Sequence, residues 1–280
     1  MSDGFGVRLH RRMEALGPVC AGIDPHAGLL AKWELSDDAH GVREFSMRTV
    51  DALWDRVAAF KPQSAFFERH GSAGIAVLEE LLEQCRQAGV PVILDVKRGD
   101  IGSTMDGYAD AYLSGTLRSD SFTVSPYLGP GSLEKTAQRA ASGGQGLFVL
   151  ALTSNPEGAE VQHVSQDGTS VAGRVVNAVA AWNRAVEPQG VGPFGLVVGA
   201  TIGDAASRLG IDVSEFPGLF LAPGVGAQGA GAGELREVFG GAQDRVLASA
   251  SRSILGAGPS AQGLRDGLSR TIEMVSAAHR

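Results

Sequence analysis

Val92-Ile93-Leu94-Asp95-Val96-Lys97-Arg98-Gly99-Asp100-Ile101-Gly102 is an apolar run that ends abruptly in charged residues and two glycines. Read as a strand, the run alternates its side chains between faces. Asp95 and Lys97 then share one face and Val96 takes the other. An acid and a base side by side at the end of a buried strand are costly to desolvate. They are tolerated when they pair with each other and with further charges. The stretch therefore reads as a site rather than a packing element, against the plainer reading of a solvated loop with ordinary charges.

Outward from this stretch the same unit recurs: a short apolar run, a turn rich in Gly, Pro, Asp and Ser, then a segment of helical period. The other runs lie at 19–23, 57–61, 121–125, 146–152, 194–198, 218–222 and 245–249. Between them, helical spacing covers 42–58 and 73–88, and helices follow from Ser132, Val171 and Ser260. Pro62 is expected to cut the second run, because proline removes a ladder donor, and this puts Lys61 near a strand's carboxyl end. Near-continuous apolar strands joined by helices belong to parallel sheets covered on both faces. Eight such units with no linker between them predict an α/β fold, a single (β/α)8 TIM barrel forming one domain over residues 1–280.

The net charge of −7 argues against a general nucleic-acid or membrane-surface partner. Cys20 and Cys85 lack metal-type spacing and read as free thiols in a reducing compartment. Residues 1–17 carry Arg8, Arg11, Arg12 and Glu14 without an apolar core, unlike a signal peptide. No run approaches the ~20 apolar residues needed to span a bilayer. A cytoplasmic protein is the expectation.

In a barrel the strand ends open onto one face. They bring Asp24, Lys61, Asp95, Lys97, Asp100, Ser154, Gln228 and Arg252 there. Lysines and aspartates facing one cavity can alternate in charge, each keeping its neighbour ionised. Such an array suits chemistry that forms a carbanion, since a fixed ammonium stabilises the developing charge and then protonates it. Gly224-x-Gly226-x-x-Gly229 formally matches a dinucleotide fingerprint. That reading fails because Asp244 precedes the next strand and only one strand remains. A glycine loop that approaches a phosphate, with Arg252 after the last strand adding a guanidinium, fits better. The histidines lack ligand spacing, so His26, His70 and His163 read as loop residues. Ser154 lacks a nucleophile elbow and reads as a hydrogen-bonding group. Ser103-Thr104 is expected to cap the helix after strand three.

Asp95-x-Lys97-x-x-Asp100-Ile101 resembles the signature of the orotidine 5'-phosphate decarboxylase family. The blocks Ala21-Gly22-Ile23-Asp24-Pro25-His26, Phe60-Lys61-Pro62-Gln63, Ser125-Pro126-Tyr127-Leu128-Gly129, Thr153-Ser154-Asn155-Pro156-Glu157-Gly158 and Val198-Gly199-Ala200-Thr201 are similar to its second bacterial subfamily. The resemblance covers essentially the whole chain. It implies conversion of orotidine 5'-monophosphate to UMP and CO2, the step that completes de novo UMP synthesis, without metal or organic cofactor. By the same resemblance Lys61, Asp95, Lys97 and Asp100 form the charged network and Lys97 protonates C6. Asp95 faces the substrate carboxylate, Asp24 and Lys61 hold ribose hydroxyls, Ser154 bonds the pyrimidine, and Gln228 with Arg252 grips the phosphate. Asp100 and Thr104 reach the partner subunit's site, which implies a homodimer with shared active sites.

One departure is Gly229-Ala230, where the family often has two glycines; Ala230 strains the loop if the position needs positive φ. Two competitors differ in class. A sugar-phosphate decarboxylase or aldolase of the same superfamily uses Mg2+ and a glutamate where this chain has Lys61, whose charge repels a divalent cation. A barrel kept only for binding would have lost part of the charged set, and none is missing.

Overall fold

The computed structural model describes residues 3–226 and 229–279. Eight parallel strands form its centre: β1 (Val19–Ile23), β2 (Ala59–Pro62), β3 (Ile93–Arg98), β4 (Ser121–Val124), β5 (Gly146–Leu152), β6 (Phe194–Val198), β7 (Phe220–Pro223) and β8 (Val246–Ala250). Their hydrogen-bonded order is β2-β1-β8-β7-β6-β5-β4-β3. The remaining seam, β2 to β3, is joined by the bridges Phe60–Val92 and Gln63–Asp95. There the Phe60 N–H donates to the Pro91 carbonyl at 3.0 Å and the Ser64 N–H to the Asp95 carbonyl at 3.2 Å. Such a ring leaves no open sheet edge.

Helix α1 (Phe5–Leu16) precedes the strands, and α2 (Ala39–Leu53), α3 (Gly71–Gln87), α4 (Gly102–Leu113), α5 (Glu134–Ser142), α6 (Val171–Val186), α7 (Ala232–Phe239) and α8 (Ala261–Ser276) surround them. Side-chain caps start three of them: Asp38 accepts from the Gly41 N–H, Ser170 from Gly173 and Ser260 from Gly263. The crossover after β6 holds only the short helix Ala205–Arg208. No helix among the described residues is long and apolar enough to cross a membrane.

The core has two parts. Outward-facing strand residues such as Leu94, Val96 and Phe122 pack against the helical ring. Inside the barrel, Cys20, Ala59, Ile93, Phe148, Leu219 and Leu247 form a lower layer, closed from below by Phe5, Leu9 and Met13 of α1. The Phe5 and Phe148 rings meet edge to face at 6.3 Å. Two residues further along the same strands, Lys61, Asp95, Leu150, Leu221 and Ser249 line the floor of a cavity. Period-two alternation thus sets an apolar plug directly beneath a charged floor.

The structure departs from the sequence reading at several elements. Residues 5–16 form the plugging helix, which their charge had hidden. The helical period at 42–58 belongs to α2, which begins at Ala39 and stops at Leu53. Pro62 lies inside β2 as its last residue, in register with Ile23, and the next donor, the Gln63 N–H, carries the ladder on to the Ile23 carbonyl. Ser103 and Thr104 lie in the first turn of α4; the N-cap is Ile101, without a side-chain cap bond.

Candidate active site

The carboxyl end of the barrel holds a cavity of about 620 Å³, lined by residues from every strand end except the loop of β6, whose Val197 lies on the floor. That volume lies within the usual range for small-molecule sites. At its centre Asp95 accepts three hydrogen bonds. Its Oδ2 takes one from Lys61 Nζ at 3.2 Å, and its Oδ1 takes one from Lys97 Nζ at 2.6 Å and one from Thr123 Oγ1 at 2.8 Å. Lys61 also lies 4.0 Å from Asp24 Oδ1. The cavity therefore carries a continuous chain of alternating charge, Asp24–Lys61–Asp95–Lys97.

Burial sharpens this arrangement. The Asp95 side chain is 9% exposed, whereas Lys97 is 45% exposed and reaches into the cavity from its rim. Burial alone disfavours the Lys61 ammonium, but the carboxylates of Asp24 and Asp95 outweigh it and carry its pKa above the ordinary lysine value. Burial likewise disfavours the Asp95 carboxylate. The charges of Lys61 and Lys97, with the bonds from Lys97 and Thr123, outweigh that effect and hold its pKa below the usual carboxylate range. Beneath them burial pushes the Cys20 thiol up to about 12, so it stays protonated.

Asp95 and Lys97 meet as the spacing predicted, but a regular strand is not the reason. Leu94 pairs with Phe122 and Arg98 with Val124, so four residue steps of β3 match two of β4. The extra length is a bulge at Asp95–Lys97, and Lys97 sits at φ 47°, in the left-handed region that a side chain other than glycine rarely adopts. The bulge lets the Lys97 stem fold back so that its ammonium returns to Asp95. Gly99 follows where an added Cβ would lie 2.3 Å from the Ser125 carbonyl oxygen, so only glycine permits the approach of the two strand ends.

Ser154 and Arg252 also line the cavity. Arg252 opens the short helix Arg252–Leu255 after β8, and its guanidinium forms no ion pair among the described residues. Gly224, Gly226 and Gly229 take positive φ of 101°, 76° and 92° in the loop after β7. Gln228 lies outside the described residues. Ala230 is buried with no positive φ, and its carbonyl accepts the Gly226 N–H at 2.8 Å, so the position tolerates a side chain. Asp100 and Thr104 do not line this cavity: Asp100 Oδ1 accepts the Ile101 N–H at 2.8 Å, and Thr104 is exposed on α4.

The sequence reading missed several cavity groups. His26 lies in the loop after β1, as read, and from there it also lines the site, beside Phe66. Ser251 contributes a buried hydroxyl with no partner among the described residues, and Asp24 Oδ1 is likewise unpartnered by a hydrogen bond. Both are polar atoms poised for a ligand. Thr123, inward on β4, was findable from strand alternation alone.

Residues 17–266 match the model of the orotidine 5'-phosphate decarboxylase / HUMPS family. The chain belongs to this family. Orotidine 5'-phosphate decarboxylases of Salinispora arenicola and Streptomyces coelicolor are each 53% identical to it, over 99% and 96% of this chain and 98% and 95% of their own lengths. Among solved structures, a Streptomyces avermitilis protein provisionally assigned to the same activity superposes with a TM-score of 0.92 at 52% identity, covering 99% of this chain and 96% of that one. The Leishmania donovani OMP decarboxylase superposes with a TM-score of 0.79 at 29% identity, with 98% of both chains covered.

Proposed function

We propose that this protein decarboxylates orotidine 5'-monophosphate to UMP and CO2. The observation that carries the reading is the Asp95 carboxylate held between Lys61 and Lys97 in the cavity, 3.2 and 2.6 Å from their ammonium groups. A substrate carboxylate brought against Asp95 meets a like charge that disappears when CO2 leaves. The C–C bond to the carboxylate breaks, its electron pair stays on C6, and the Lys97 ammonium stabilises that charge and gives C6 a proton. Asp24 and Lys61 are assigned to the ribose hydroxyls and Ser154 to the pyrimidine. Arg252 and Gln228, with the glycine loop after β7, are assigned to the phosphate. The phosphate is remote from the reacting carbon, so its binding energy serves to align the charged groups.

The arrangement favours this chemistry over a metal-assisted relative, because Lys61 occupies the space between Asp24 and Asp95 where a divalent cation would need to sit. Asp100 and Thr104, outside the cavity of their own chain, are assigned to the site of a second copy. The exposed side chains of Ile101, Tyr127 and Leu128, on the loops after β3 and β4, offer apolar surface for that copy. The test is turnover of orotidine 5'-monophosphate, followed as loss of orotate absorbance with formation of UMP. Wild-type protein is expected to convert it and Lys97→Ala to lose at least about 10²-fold in kcat. Equal turnover by the two proteins would overturn the assignment of Lys97.

A further inference from the structure

The geometry points to Thr123 as the positioning residue that holds both Asp95 and Lys97 in their working places, an inference resting on the function proposed above. Thr123 is buried on β4, and its hydroxyl faces the bulge of β3. It accepts the Val96 N–H at 2.9 Å and the Lys97 N–H at 2.8 Å. It also lies 2.8 Å from Asp95 Oδ1. A hydroxyl has two acceptor lone pairs and one proton. With both lone pairs engaged by backbone donors, the proton is left to point at the carboxylate, so one side chain fixes two backbone amides and one acid.

The bulge explains why such a group is needed. In a regular parallel ladder adjacent N–H groups point to opposite neighbouring strands, but where the register skips between Leu94 and Arg98 those of Val96 and Lys97 both turn towards β4. A buried donor and a part-buried one are then left to a side chain, and donors withdrawn from water need partners. The threonine hydroxyl supplies what the ladder lacks and keeps Lys97 at φ 47°. That unusual backbone sets where the lysine stem starts, and hence where its ammonium ends. Local strain of this kind persists only when neighbouring groups over-determine it. Thr123 touches no reacting atom in this account; it acts through Asp95 and Lys97.

Thr123→Val keeps the shape and removes the hydroxyl, whereas Thr123→Ser keeps the hydroxyl and removes a methyl group. Thr123→Val is expected to lower kcat about 10- to 100-fold, with KM and the affinity for UMP within about 3-fold of wild type. Thr123→Ser should restore kcat to within about 3-fold of wild type. A crystal structure of the Val variant is expected to show the Lys97 ammonium withdrawn from Asp95 or the Lys97 backbone out of the left-handed region. If the Val variant fails to fold, Thr123→Cys replaces it, its thiol being a weak donor and acceptor, with the same directions expected. A folded variant without the hydroxyl that keeps wild-type kcat and an unmoved Lys97 would overturn the inference. So would a Ser variant as impaired as the Val variant. The crystallographic readout stands apart from catalysis: a wild-type protein inactive on orotidine 5'-monophosphate would refute the proposed function, while the position of Lys97 would still decide this inference.

Discussion

Lys97 combines three properties that seldom coincide: a left-handed backbone, a half-exposed stem and an ammonium 2.6 Å from a buried carboxylate. Its neighbour Asp95 bonds to cations on both of its oxygens, and removing it leaves Lys61 buried with Asp24 at 4.0 Å. Asp95→Asn is therefore expected to destabilise the fold by about 3–5 kcal/mol, the usual cost of breaking a buried pair, readable by urea denaturation. The pH dependence has a defined sign. The folded-state pKa of Asp95 is depressed, so its contribution is present above the unfolded carboxylate value of about 3.9 and is lost as pH falls through the folded value. The pKa of Lys61 is raised, so its contribution is complete below about 10.4 and is lost as pH rises through its folded value. Denaturation midpoints should show this contribution constant from about pH 5 to 9, with the acid limb shallower in Asp95→Asn. An unchanged acid limb would contradict the pairing. Arg252→Ala should depress kcat/KM severely while circular dichroism stays that of the wild type; near-normal kcat/KM would remove Arg252 from the phosphate site. Residue spacing alone made Asp95, Lys97, Lys61 and Asp24 legible, because strand ends of a barrel converge. It concealed the bulge and the bonds Thr123 makes to it, since a register skip depends on the partner strand and leaves no periodic mark in β3.

The bulged end of β3 and the plug α1 show the same division of labour between strand ends. Below, Phe5 is buried against Phe148 and the lower interior layer, far from the charged groups. Phe5→Ala should cost about 3–5 kcal/mol and lower Tm, with kcat at low temperature close to wild type. A loss of kcat without a loss of Tm would mean that α1 bears on the site directly. Above, the contact of Gly99 with the Ser125 carbonyl leaves no room for a methyl group. The eight strands were readable as apolar runs, and their boundaries shift by only one or two residues. The plug was not, since its apolar residues Phe5, Leu9 and Met13 are few among charges, and only the barrel's open lower end gives them a partner. Pro62 does end β2 and leaves Lys61 near its carboxyl end, as read, but as the strand's last residue and not the first beyond it, because the rule against proline applies to strand interiors.

The whole molecule is a barrel with one charged mouth, and the groups that fail to reach that mouth are as informative as those that do. In the proposed shared-site reading Asp100 and Thr104, which do not line their own cavity, serve a second copy of the chain, an assignment that rests on family resemblance. Mixing Lys97→Ala and Asp100→Ala subunits should restore activity through hybrid dimers that each hold one intact site. If subunits exchange and none returns, the shared-site proposal fails. The central claim, that these side chains alone drive the decarboxylation, is tested most directly by EDTA-treated protein and orotidine 5'-monophosphate. The expected result is undiminished loss of orotate absorbance, with one UMP and one CO2 formed per substrate consumed; no turnover without metal, or none at any metal concentration, would contradict it.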